Sequence, residues 1–306
     1  MHERLLLPEA TLRYAGHAFH FWSPDSSARF AIRTPHTHFL VPRVTHSTES
    51  FEVACRIGDP EPARSRVVFD SGGIWELRGT PDGGDEVCFY TATEAGGRRP
   101  LIRVHLDPGL RGADVVHGPL PGDGRTIPIG FPLDEYLAAR VLGRAGGLIV
   151  HGCALELDGE ALVFIGHSGA GKSTIAELAE GIGARVLSDD RTIITIDGSG
   201  PRAWGTPWHG TYTRGSPDSA PLCALFLLVK APLDDVLPLD RACAFKELLV
   251  RLVQPTVDRG ELLGAMDGIE RLVEAVPAAE LRFRPTATAY ALARHYAAGA
   301  VAAAGG

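Results

Sequence analysis

Gly166-His167-Ser168-Gly169-Ala170-Gly171-Lys172-Ser173 fits the pattern G-x-x-x-x-G-K-S/T of a phosphate-binding loop. In that pattern the glycines let backbone N–H groups curl around an anion. Lys172 reaches the terminal phosphates, the Ser173 hydroxyl can ligate Mg²⁺, and Thr174 completes the loop's exit. The flanks agree with this reading. Ala161-Leu-Val-Phe-Ile165 is an apolar run expected as a buried strand, and Thr174 to Ala179 continues as a helix with Ile175 and Leu178 on one face. A helix N-terminus aimed at a phosphate adds a favourable dipole, so strand, loop and helix form one anion site.

Working outward, Arg185-Val-Leu187 and the β-branched run Thr192-Ile-Ile-Thr-Ile196 read as strands. Asp189, Asp190 and Arg191 lie between them. Acids one helix after a phosphate loop stand where metal-binding carboxylates are needed, and carboxylate oxygens suit hard Mg²⁺. Upstream, Leu133, Tyr136, Leu137 and Val141 have helical spacing, ended by Gly146-Gly147. Two strands are expected at Leu148–His151 and Cys153–Leu157, with an Asp158-Gly159 turn feeding the loop strand. Downstream, Ala224–Val229 reads as a central strand. Asp240 is expected to cap a helix running to Val253, which Pro255 ends. A helix carrying Leu262, Leu263, Met266, Ile269 and Val273 follows, then a short strand Leu281–Phe283 and an Ala-rich final helix. Trp204-Gly-Thr-Pro-Trp-His-Gly210 is either a lid or a packed connector.

Up to about residue 125 the texture is β: alternating or aromatic runs such as Phe51–Arg56, Ile74–Leu77, Val87–Tyr90 and Leu101–Leu106 are separated by Asp70-Ser-Gly-Gly73 and Pro81-Asp-Gly-Gly84 turns. The Gly/Pro-rich stretch 118–132, with Gly118, Pro119, Pro121, Gly122 and Gly124, marks the domain boundary. A β-rich N-terminal domain over 1–125, for docking a substrate or partner, and a second domain over 126–306 are expected. His36, His38 and His46 form no metal-ligand spacing with a further acid and read as surface.

The 306 residues carry a formal charge of −7, with no basic stripe to replace phosphate counterions, so a nucleic-acid partner is not expected. Five widely spaced cysteines, Cys55, Cys88, Cys153, Cys223 and Cys243, contain no C-x-x-C pair and suit a reducing compartment. Residues 1–25 hold Glu3, Arg4, Glu9 and Arg13 and no long apolar core, and no run approaches a membrane span, so a cytoplasmic protein without a membrane partner is expected.

The ordered set His151-Gly152, the loop 166–173 and Asp189-Asp190-Arg191 resembles the catalytic domain of HPr kinase/phosphorylase over roughly residues 130–230. More distantly it is similar to the nucleotide core of ATP-dependent phosphoenolpyruvate carboxykinase. The resemblance implies an α/β P-loop kinase core of the HPr kinase/carboxykinase type, preceded by a smaller β-rich domain. It also implies ATP and Mg²⁺ as cofactors. By it Asp189 is the general base, His151 its partner, Lys172 the phosphate clamp, and Ser173 and Asp190 the metal ligands. The expected reaction is γ-phosphate transfer to a hydroxyl, serine foremost, of a peptide, protein or small metabolite. The alternative is a non-catalytic ATP-gated binding or regulatory module. Thr174 stands where HPr kinases carry an acid, and no downstream glycine-rich segment matches theirs, which argues against HPr as substrate. The layout looks instead like HPr-kinase-related proteins associated with peptide-modification systems. HPr kinases assemble as oligomers through segments without a match here, so a homo-oligomer is left open.

Overall fold

The computed structural model describes residues 4–43, 49–62, 65–80, 84–93, 96–120, 124–210, 212, 214–253, 255, 259–286 and 288–304. His46, Pro81, Asp82, Gly83, Pro121 and Gly122 lie outside them. The chain forms two compact units, Met1–Glu135 and Tyr136–Gly306. The expected boundary at 125/126 lies ahead of that division, because the short strand Thr126–Pro128 pairs within unit 1.

Among the described residues unit 1 holds eleven strands: β1 (Arg4–Leu7), β2 (Ala10–Tyr14), β3 (His17–Trp22), β4 (Arg29–Arg33), β5 (Ser50–Ile57), β6 (Val67–Asp70), β7 (Trp75–Gly79), β8 (Asp85–Ala92), β9 (Arg98–Leu106), β10 (Gly112–His117) and β11 (Thr126–Pro128). They build a three-stranded sheet ordered β1-β4-β11 and an eight-stranded sheet ordered β2-β3-β5-β10-β9-β8-β7-β6. The alternation in Phe51–Arg56 has its physical counterpart here. Phe51, Val53 and Cys55 are buried while Glu52 and Ala54 are half-buried, as a strand with a two-residue side-chain period requires. Phe19, Phe21, Phe30 and Phe39 join Phe51 in the core, and tilted ring pairs such as Phe19–Phe51 at 5.7 Å knit it. His36, in a 3-10 turn, sets Nε2 3.0 Å from the buried Asp134 carboxylate, which also accepts from the Tyr14 hydroxyl at 2.8 Å.

Unit 2 continues with α1 (Leu133–Arg144), which begins at the end of unit 1, β12 (Leu148–Leu157), β13 (Glu160–Ile165), α2 (Lys172–Glu180), β14 (Arg185–Ser188), β15 (Arg191–Asp197), β16 (Gly200–Trp204), β17 (Ser219–Lys230), β18 (Asp235–Pro238), α3 (Arg241–Leu249), α4 (Arg259–Ala275), β19 (Ala278–Phe283) and α5 (Thr288–Ala304). The two strands expected at 148–157 are one ten-residue strand, β12. Asp240 does cap α3, its Oδ1 accepting from the Cys243 N–H at 2.7 Å, but the helix ends at Leu249 rather than Val253. Leu252 instead bridges to Val150 on β12.

The expected α/β P-loop kinase core is not what the chain forms. Among the described residues strand makes up 44% and helix 23%, in three sheets with five α-helices, so the fold is mainly β. An α/β core needs a helical crossover between successive parallel strands. Here β12 turns into β13 through Asp158 and Gly159 alone, both at positive φ, and β15 turns into β16 through Gly198 and Ser199. Connections that short force antiparallel pairing. Among the described residues of unit 2 only β13–β17 and β17–β19 are parallel, and the β13–β17 pairing closes a ring through β12, β15 and β16. One strand–loop–helix segment does not specify the pairing of its neighbours.

Both faces of this curled sheet are covered. Along β13, Leu162 and Phe164 enter a cluster with Ile175, Phe226, Leu281, Phe283 and Tyr290, against α2 and α5. Ala161, Val163 and Ile165 enter another with Ala244, Leu248, Ile269 and Leu272, against α3 and α4. A strand buried on two faces must be apolar at every position, which is why 161–165 is a continuous run. Among the described residues no helix is long and apolar enough to cross a membrane.

Candidate functional site

The loop leaves β13 and turns through Gly169 at φ 80° and Gly171 at φ 109°, backbone that L side chains rarely adopt. Gly171 is the residue before α2, so the first helical N–H groups open onto the loop. A Cβ on Gly171 would lie 2.6 Å from Cζ of the buried Phe283. Gly171→Ala therefore combines left-handed strain with overpacking against a ring that cannot withdraw. An expected loss of about 3 kcal/mol follows, read as a lowered denaturant midpoint. An unchanged midpoint would refute the cradle's dependence on glycine here.

Lys172, 7% exposed, bends back over the loop. Its Nζ donates to Gly166 O at 3.1 Å and His167 O at 3.3 Å and lies 2.9 Å from His151 Nε2. Burial holds its ammonium below the usual lysine value, with Asp190 pulling the other way.

His151 reaches this point because β12 is shared. Gly152 pairs with Ile165 on one side, while His151 pairs with Arg191 on the other. The glycine after the histidine is a packing requirement: a Cβ there would meet Ile165 Cγ2 at 3.2 Å and Phe164 O at 3.3 Å. Burial, then the Lys172 charge, pushes the His151 imidazole below its ordinary value, partly opposed by Asp190. A neutral ring has one acceptor nitrogen; here Nε2 stands against the Lys172 ammonium and Nδ1 lies 3.3 Å from Asp190 Oδ1. Arg191 lies 2.9 Å from the same nitrogen and donates to Asp190 Oδ2.

The expected partnership of His151 with Asp189 is thus replaced by one with Asp190. Asp189, 1% exposed, looks elsewhere: Oδ1 accepts from the Gly210 N–H and Oδ2 from the Tyr212 N–H, each at 3.0 Å. Burial raises its pKa to about 6 against the lowering effect of those two amides. The segment supplying them is tied down by the Tyr212 hydroxyl on Glu180 and by Arg214 3.6 Å from the same carboxylate.

These amides, and Arg251, escaped the sequence reading. A backbone N–H has no sequence signature. Arg251 comes near only because its carbonyl accepts from His151 N at 2.8 Å; its charge also depresses Lys172. The aromatic loop 204–210 is packed, with Trp208 and Thr206 buried. Arg202 bonds Ser219 Oγ at 3.2 Å on the β16–β17 ladder, away from the acids. Loop residues Ser168, Ala170, Ser173 and Thr174 stay with the turn and first helical residues, Ala170 buried and Ser173 and Thr174 half-buried.

Strand, glycine turn and lysine-headed helix, with His151 and Asp190 alongside, have the local arrangement expected of a phosphate loop, set within a mainly β chain. Residues 136–255 match the family described as SynChlorMet cassette protein ScmC. The matched stretch contains His151, the loop and both acids. A comparison with curated proteins finds no match.

Proposed function

We propose that the chain is an ATP- and Mg²⁺-dependent phosphotransferase, an HPr-kinase-related serine-type kinase acting on a hydroxyl of a peptide, protein or small metabolite in the cytoplasm. The observation that carries this reading is that Lys172, at the head of the helix after the glycine turn, stands 2.9 Å from His151 Nε2, whose other ring nitrogen lies 3.3 Å from Asp190, the neighbour of Asp189. Phosphoryl transfer asks mainly for positioning and charge stabilisation, which such a set supplies.

The donor set fits the cofactors. The turn from Gly166 to Gly171 and the first N–H groups of α2 suit a phosphate, with Lys172 as its cationic clamp. Ser173 and Asp190 offer hard oxygens for Mg²⁺. Among the described residues no group of three or more His, Cys, Asp or Glu could hold a metal. The remaining ligands would then be phosphate oxygens and water, as Mg²⁺ prefers. Bound Mg-ATP supplies the phosphoryl group and neutralises charge as it transfers.

Asp189 accepts the hydroxyl proton. With a pKa of about 6 it is ionised at neutral pH, yet basic enough for the task. For that, one of its oxygens must be released by Gly210 or Tyr212. His151 contributes by holding Lys172 and Asp190 in register on its two nitrogens.

The test is transfer of labelled γ-phosphate from Mg-ATP into a host extract resolved into peptide and small-molecule fractions. Wild type is expected to label an acceptor. Lys172→Ala is expected to weaken Mg-ATP binding about a hundredfold, since a buried cation facing phosphate is lost. Binding lost with Lys172→Ala, but no label with wild type, would instead support the ATP-gated binding module.

A further inference from the structure

Strand β6 ends the eight-stranded sheet of unit 1, and among the described residues its outer edge has no partner strand. Its sequence runs Arg66-Val67-Val68-Phe69-Asp70. Val67, Val68 and Phe69 are 41, 53 and 48% exposed, and Ile74 in the following turn is 64% exposed. Val68 falls at a register shift opposite β7, and the three residues leave a run of bare apolar surface along the edge. Phe69 leans on Trp75, ring centroids 4.9 Å apart, which extends the patch onto β7. A bare strand edge with apolar side chains is a template for another strand. No proline or lysine lies in this strand, and the register shift between Val67 and Phe69 opposite β7 is the one edge-blunting feature in it.

The charges decide the occupant. We propose that β6 pairs antiparallel with β6 of a second copy of this chain, about a twofold axis at Val68, joining two sheets into one. In that register Val68 faces Val68, Val67 faces Phe69, and Arg66 of each copy faces Asp70 of the other. The segment is therefore self-complementary in both charge and apolar pattern. Asp70 is already oriented: Arg98 donates to both its oxygens, at 3.1 and 3.0 Å, and Gly72 N–H to one at 2.9 Å. Arg66 is exposed and ready for the opposing carboxylate.

Sedimentation velocity of the full chain over a concentration series tests this. Wild type is expected to pass from monomer to dimer. Val68→Lys, which sets two ammonium groups face to face on the axis, is expected to remain monomeric. Arg66→Glu turns two attractive pairs into two repulsive ones and is expected to weaken association about tenfold or more, while Arg66→Lys retains it. Both positions are exposed, so far-UV circular dichroism should not change; hydrogen exchange of the Val67–Phe69 amides should slow with concentration in wild type and Arg66→Lys but not in the other two variants. A wild type that stays monomeric throughout, or a dimer that Val68→Lys or Arg66→Glu leaves untouched, overturns the pairing.

Discussion

Asp189→Asn is expected to lower phosphoryl transfer by roughly 10²- to 10⁴-fold, the usual worth of a positioned base, with Mg-ATP binding retained. The variant is also expected to gain stability relative to wild type as pH rises from 4 to 8. The reason lies in the burial of Asp189, whose pKa rises from 3.8 to about 6 on folding. Between those values the native state holds a proton that the unfolded chain has released, so this group's contribution to stability is full below pH 4 and is lost as pH rises through 6. The loss is worth about 3 kcal/mol at most, at 1.4 kcal/mol per unit. Asparagine never ionises, but its amide nitrogen only donates, so one of the Gly210 and Tyr212 N–H groups loses its acceptor at every pH, at a cost of about 1–3 kcal/mol. Urea unfolding at pH 4 and pH 8 checks the sign: the difference, variant minus wild type, should rise by up to about 3 kcal/mol from the lower pH to the higher. For wild type, kcat/KM should climb tenfold per pH unit below about 6 and level off above it. Full activity in Asp189→Asn, or a wild-type rate flat from pH 5 to 7, would remove Asp189 from the base role.

Gly205→Ala is expected to cost more than any substitution at the loop. A Cβ there would lie 1.7 Å from Ser216 O and 2.7 Å from Leu187 O. Both are backbone atoms held in place: Leu187 O accepts from Thr206 N at 3.3 Å and from Ser216 N at 3.0 Å, while Gly205 N donates to Asp218 O at 2.9 Å. No rotamer relieves the clash, so the crossing of segments 205–206, 215–216 and β14 must open. A loss above about 4 kcal/mol is expected, which for a marginally stable domain means an unfolded unit 2. Gly198→Ala is the control, since its Cβ would meet nothing within 4 Å; there the change should stay within about 0.5 kcal/mol. Comparable denaturant midpoints for the two variants would refute the argument. Leu187 lies two residues before Asp189, so this crossing also sets where the carboxylate points.

Much of the candidate site was legible because its chemistry is local. A phosphate loop is contiguous: strand, glycines, lysine and helix occupy one stretch from Glu160 to Glu180. The Asp158-Gly159 hairpin was equally readable, since those residues accept positive φ. The closeness of His151 to Asp190, and not to Asp189, depends on β12 pairing with β14 and β15 in turn, with a register shift between Ala154 and Leu155. Registers of that kind have no trace in one strand's sequence.

What the sequence determined by itself, then, is whatever needs only neighbours along the chain: the apolar runs, the Asp240 cap, the glycine turn at 166–171 and the alternation of β5. Tertiary structure alone decided that the sheet of unit 2 is mainly antiparallel and closes through β13 and β17, that Gly210 and Tyr212 cover Asp189, and that β6 stands at an edge with its apolar residues bare. The physical reason is the same in each case. Hydrogen bonds between strands join backbone groups that every residue carries, so their partners are chosen by the packing of the whole unit and not by the residues that make them.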